Sequence, residues 1–123
     1  MSTLKRVLVI EDEKPLARAL ELKLQKEGFE VMVANDGKAG LDLLLAHDFT
    51  VVLLDLMMPI MNGFEVLEKA HAAKLKVMPT IFVLSNLTQA DDDARAQKLG
   101  AKKFFIKSDT PLSQIVDEIH RLS

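Results

Sequence analysis

The chain has 123 residues, a formal net charge of −2 and no cysteine, with hydrophobic residues at 49% and charged residues at 28%. Such a length predicts one domain that buries roughly two-thirds of the surface its unfolded form exposes, and the globular balance leaves no place for a disordered tail. The slightly acidic charge offers no basic field to nucleic acid or an anionic membrane, and the missing cysteines exclude disulfides, thiolate metal sites and cysteine nucleophiles.

In chain order, residues 1–6 carry two charges before a run of four apolar residues, which is too short for a signal-peptide core. No apolar run approaches the ~20 residues a membrane span needs, so the expectation is a cytoplasmic protein without a membrane or direct nucleic-acid partner. A first strand is predicted over residues 6–10. Leu16, Leu20 and Leu24 then mark one face of a helix from near Pro15 to Gly28. A second strand (30–34) leads to a helix opened by Asp36-Gly37 and carrying Gly40, Leu43 and Leu44. The third strand (50–54) precedes a helix opened by Gly63-Phe64, with Leu67 on its face. The fourth strand (80–84) precedes a helix with Thr88 as N-cap, running through Ala90, Ala94 and Leu99 to Gly100 as the residue past its end. The fifth strand (103–106) leads to a helix with Thr110 as N-cap, Pro111 at its first position, then Leu112, Ile115, Val116, Ile119 and Leu122. Five βα units predict an α/β fold with a parallel sheet, three of its strands reading as continuous apolar runs covered on both faces. With no linker or low-complexity tract, residues 1–123 read as one domain with no output domain.

Ligands of an open α/β sheet bind outside the carboxyl ends of its strands, where strand order reverses. Those ends carry Glu11 and Asp12 after the first strand, Asp55 after the third, Ser85 after the fourth and Lys107 after the fifth. Taken singly, Asp12 could cap a helix, Asp55 could open the turn before Pro59, and Ser85 and Lys107 could be a loop hydroxyl and a solvated charge. Together they form a narrow chemical set. Clustered carboxylates repel unless a divalent cation intervenes, and Mg²⁺ favours one or two carboxylates with phosphate oxygens and water. An ammonium and a hydroxyl suit the remaining oxygens of a phosphoryl group, and an aspartate facing it can be the nucleophile that forms an acyl phosphate. Asp55 is the candidate acceptor.

With Leu54-Asp55-Leu56-Met57-Met58-Pro59, Gly63 four residues past the proline, Ser85, and Gly100 through Lys107 added to the acidic pair, the chain resembles the receiver domains of two-component response regulators, the CheY-like family. The resemblance covers essentially the whole length. It implies a doubly wound (βα)5 fold with five parallel strands in the order 2-1-3-4-5 and helices on both faces. It also implies that Asp55 takes a phosphoryl group from the phosphohistidine of a sensor histidine kinase or phosphotransfer protein. Mg²⁺ (or Mn²⁺) would be held by Glu11, Asp12, Asp55 and the backbone carbonyl of Met57. Lys107 and Ser85 would bind the phosphoryl oxygens. Ser85 and Phe104 would switch the face of the fourth helix, fifth strand and fifth helix, the surface for a downstream protein or a homodimer. Such a domain assists its own phosphorylation and hydrolysis and turns over no separate substrate.

The sequence departs from the family pattern at several places. Ser108 follows Lys107 where the family usually has a cis-proline, which predicts either a strained cis bond, costing about 2.5 to 4 kcal/mol, or a rebuilt loop. Phe104 replaces a frequent tyrosine, and Asn86 stands where a small residue is usual, narrowing access to the site. Met57 and Leu87 are apolar where water would approach, which with Asn86 predicts altered rates and slow loss of the phosphoryl group. A degenerate receiver that binds partners without phosphorylation is the alternative reading. An aspartate-nucleophile phosphohydrolase is a weaker one, because Met57, two residues after Asp55, cannot act as its general acid. The glycines form neither a dinucleotide fingerprint nor a P-loop. Met32, Met58 and Met78 read as packing residues, His47, His71 and His120 as surface residues, and Asp91-Asp92-Asp93 as a first-turn charge cluster, with Lys102-Lys103 as its conjectural partner across a dimer.

Overall fold

The computed structural model describes residues 5–86 and 90–121. Five strands, β1 Arg6–Ile10, β2 Glu30–Ala34, β3 Val51–Leu54, β4 Thr80–Ser85 and β5 Ala101–Ile106, alternate with helices α1 Lys14–Lys26, α2 Gly37–Ala46, α3 Gly63–Ala72, α4 Ala90–Lys98 and α5 Leu112–Arg121. The strands pair in parallel in the order β2-β1-β3-β4-β5. This is the expected doubly wound arrangement, with β1 at the point where strand order reverses.

Successive strand side chains point to opposite faces, so each buried strand feeds two cores. Leu8, Ile10, Val52, Leu54, Ile81 and Val83 pack with residues of α2, α3 and α4, including Leu44, Phe64, Leu67 and Ala96. Val7, Val9, Val51, Leu53, Phe82 and Leu84 pack on the other face against Ala17, Leu20 and Leu24 of α1 and Ile115, Val116 and Ile119 of α5.

Local signals set most helix ends. Asp36 caps α2 by accepting the N–H of Ala39 at 2.8 Å. Asn62 and Glu65 form a reciprocal capping box on α3. Gly28 and Gly100, at φ 96° and 110°, take the left-handed conformation that ends α1 and α4.

The differences from expectation are small and physical. β5 begins at Ala101 rather than 103, because its register on β4 shifts between Ile81 and Phe82 and Lys102 is accommodated as a bulge. On α4 the residue in the core is Ala96, whereas Ala94 is exposed. The helical stretch of α5 begins at Leu112, one residue past Pro111. The Lys107–Ser108 bond is trans, and the chain passes through a 3-10 turn over Lys107–Asp109. Thr88, Leu87 and Leu122 lie outside the described residues. Met32 and Met58 pack against the core while Met78 is exposed, and all three histidines are exposed. Lys103 lies 2.8 Å from Glu118 of the same chain. Among the described residues, no helix is long and apolar enough to cross a membrane.

Candidate functional site

The register of the sheet assembles the site. Ile10 faces Leu54 across β1 and β3, so the residues that follow them leave the sheet side by side. The Glu11 N–H donates to Ala34 O at 2.9 Å and the Asp55 N–H to Ile10 O at 3.0 Å, fixing both backbones one step past the ladder. A Cβ at Gly63 would lie 2.4 Å from the carbonyl oxygen of Asp55. Only glycine lets α3 start this close to the acceptor strand.

Burial and charge are concentrated here. Glu11, Asp55 and Ser85 are the buried polar residues among those described, at 2%, 3% and 0% exposure. The Lys107 ammonium lies 2.8 Å from Glu11 Oε1, 2.9 Å from Asp55 Oδ2 and 3.2 Å from Glu13 Oε2. The N–H of Met57 donates to Asp55 Oδ1 at 3.1 Å, and that of Glu13 to Glu11 Oε2 at 3.0 Å.

Burial pushes the Glu11 carboxyl up to about 7, against the opposing hydrogen bond from Lys107. Burial also works to lower Lys107, but its hydrogen bonds to Glu11 and Asp55 outweigh this and hold the ammonium above the usual lysine range. Lys107 is therefore charged throughout the neutral range and bridges Glu11 and Glu13 to Asp55.

The carboxylates of Glu11, Asp12 and Asp55 each offer an oxygen, and these oxygens lie within 4.8 Å of one another. Asp12 Oδ1 is buried and makes no hydrogen bond among the described residues. A buried carboxylate oxygen without a donor is costly, and an all-oxygen cluster of this kind suits a hard divalent cation such as Mg²⁺. The donor set therefore fits the ion.

A cavity of about 250 Å³ is lined by Asp12, Glu13, Asp55, Met57, Ser85, Asn86 and Lys107. It joins nearly every candidate that the sequence placed at strand ends. Phe104 stands apart, half-buried on β5 against the α2–α3–α4 core. Glu13 is the contact that strand-end reasoning left out. Its place in the run Glu11-Asp12-Glu13 was the available signal. A larger, mainly apolar hollow of about 460 Å³ adjoins the site, lined by Asp12, Leu56, Met57, Met58, Pro59, Asn62 and Phe64.

The sequence model of the response regulator receiver domain matches residues 7–120. Among curated proteins, the cell cycle response regulator CtrA of Brucella ovis is 37% identical over 102 residues, covering 83% of this chain and 43% of its own length. The chain thus spans about two-fifths of the curated relatives it matches. Among solved structures, a CheY-like response regulator receiver domain protein from Methanospirillum hungatei superposes with a TM-score of 0.88 at 25% identity, covering 98% of this chain and 94% of that one. Response regulator protein TrrA from Thermotoga maritima, solved in complex with Mg(2+)-BeF, superposes with a TM-score of 0.82 at 26% identity, covering 98% and 100%. The order of the strands, the acidic pocket at the switch point and the extent of the sequence match together show that the chain belongs to the response regulator receiver domains, which act in phosphorylation-based signalling.

Proposed function

We propose that the chain is a phosphorylation switch in which Asp55 accepts a phosphoryl group from the phosphohistidine of a sensor histidine kinase or phosphotransfer protein. The observation that carries this reading is the Lys107 ammonium held between Asp55 and Glu11, beside the orphaned oxygen of Asp12. In the transfer, an Asp55 carboxylate oxygen attacks phosphorus, an O–P bond forms and the P–N bond breaks. The imidazole leaves with the electron pair and takes up a proton.

Glu11, Asp12, Asp55 and the carbonyl of Met57 would hold Mg²⁺ or Mn²⁺, which when bound offsets the repulsion between carboxylates and phosphoryl oxygens. Lys107 exchanges its carboxylate partners for phosphoryl oxygens as a fixed point charge. The Ser85 hydroxyl turns to a third oxygen, and Phe104 packs inward behind it without a phenol to anchor the new position. The surface of α4, β5 and α5 changes as a result and is read by a downstream protein or a second copy. Met57, 58% exposed at the cavity mouth, Asn86 and Leu87 set the rate at which water reaches the acyl phosphate.

Nuclear magnetic resonance with Mg²⁺ and beryllofluoride tests the reading. Resonances of Ser85, Phe104 and the surface of α4, β5 and α5 are expected to shift only when both are present. Shifts confined to Glu11, Asp12 and Asp55 would reduce the protein to a metal-binding module without a switch.

A further inference from the structure

The 3-10 turn Lys107–Asp109, which carries Lys107 into the site, has an unusual support. The first N–H groups of any helical turn have no partner within it. Ile106, the residue before the turn, has an apolar side chain and makes no side-chain cap. The missing acceptor comes from the residue just past the end of β4: the N–H of Ser108 donates to Asn86 Oδ1 at 3.0 Å. Because the donor is an N–H, the carboxamide must present its oxygen to it.

The placement follows from the sheet. Ser85 pairs with Ile106 at the end of the β4–β5 ladder, so Asn86 and Lys107 are the next residues on two chains leaving the sheet in parallel. Among the described residues, no backbone hydrogen bond outside the ladder joins the two loops. The bond from Ser108 to Asn86 is thus the first tie beyond the sheet, and it grips the residue next to Lys107. Asn86 and Lys107 line the same cavity as Asp55 and Ser85.

We propose that Asn86 is a positioning residue for Lys107. By capping the turn from outside, it holds the lysine backbone so that the ammonium reaches the phosphoryl site. This rests on the functional reading above and deepens it: the rate at this site depends on how Lys107 is held, as well as on how wide the entrance is. Steric gating by Asn86 makes a different prediction, and two substitutions separate the two. Asn86→Ala removes the oxygen and opens the entrance. Asn86→Leu removes the oxygen and keeps the bulk.

Both variants are expected to lose the cap alike. In the metal-free protein, exchange of the Ser108 amide proton should quicken about fivefold or more in each. At saturating Mg²⁺, affinity for beryllofluoride should fall about fivefold in each, the scale of one exposed hydrogen bond. Affinity for Mg²⁺ alone, which Lys107 does not ligate, should not weaken, and the melting temperature should hold within a few degrees. Opposite changes in beryllofluoride affinity for Ala and Leu would overturn the proposal in favour of gating. Unchanged affinity and unchanged Ser108 exchange would also overturn it. Wild-type protein that takes up no beryllofluoride would overturn the functional reading itself, and the role of Asn86 with it.

Discussion

Among the described residues nothing donates to the buried Asp12 Oδ1, which is set among the carboxylates of Glu11 and Asp55. The fold gains nothing from that oxygen, so its cost is expected to be recovered when the charge is removed. Asp12→Asn should raise metal-free stability by about 0.5–1 kcal/mol in urea unfolding, while weakening Mg²⁺ on the order of tenfold or more by calorimetric titration. Lower stability together with unchanged Mg²⁺ affinity would make Asp12 a structural residue instead. A second residue near the site is strained in another way. Ile60 has a backbone φ of 70° and is 78% exposed, a β-branched residue in the left-handed region with little packing to offset it. Ile60→Gly should stabilise the protein by about 1 kcal/mol, less the extra entropy glycine brings to the unfolded chain. A destabilised variant would mean that the exposed side chain contributes packing which its exposure does not suggest.

Helices α4 and α5 flank β5 and differ in how they are held. α5 buries Ile115, Val116 and Ile119, whereas Ala96 is the buried residue of α4 among those described. At roughly 1.5–3 kcal/mol for each large buried aliphatic side chain, α5 is anchored by several kcal/mol more than α4. Arg95 adds a surface tie, 3.2 Å from Glu68 and 4.1 Å over the Phe64 ring. Exposed contacts of this kind contribute little. A helix that must move in a switch is expected to be the weaker one. Amide exchange of α4 should therefore be faster than that of α5 by an order of magnitude or more. Equal protection would argue against α4 as the moving part.

The period of the sequence made α5 legible almost residue by residue, because three large apolar side chains mark one face. The end of α4 at Gly100 was legible but its face was not, since alanines mark a face poorly and packing chose Ala96 over Ala94. The bulge at Lys102 was not legible at all. It comes from the fit of β5 onto β4, which no local pattern records.

At the scale of the whole molecule, the site exists only because the entire sheet does. Glu11 and Lys107 are separated by 96 positions and meet across the ends of β1 and β5, which have β3 and β4 between them in the sheet. The types of the site residues and their strand-end positions were readable, because a carboxylate, a hydroxyl or an ammonium closing an apolar run is conspicuous in one dimension. Their mutual contacts were not. The third contact of Lys107, to Glu13, and the bond between Asn86 and Ser108 depend on how loops turn after leaving the sheet. The two departures from the family pattern at those last positions proved to be partners, which spacing alone does not reveal.

Whether Asp55 is a Mg²⁺-dependent phosphoacceptor is decided by intact mass after incubation with acetyl phosphate. The wild type with Mg²⁺ should gain one phosphoryl group, and neither the chelator-treated protein nor Asp55→Asn should gain any. A gain that persists in Asp55→Asn would place the chemistry on another residue and contradict the assignment to Asp55.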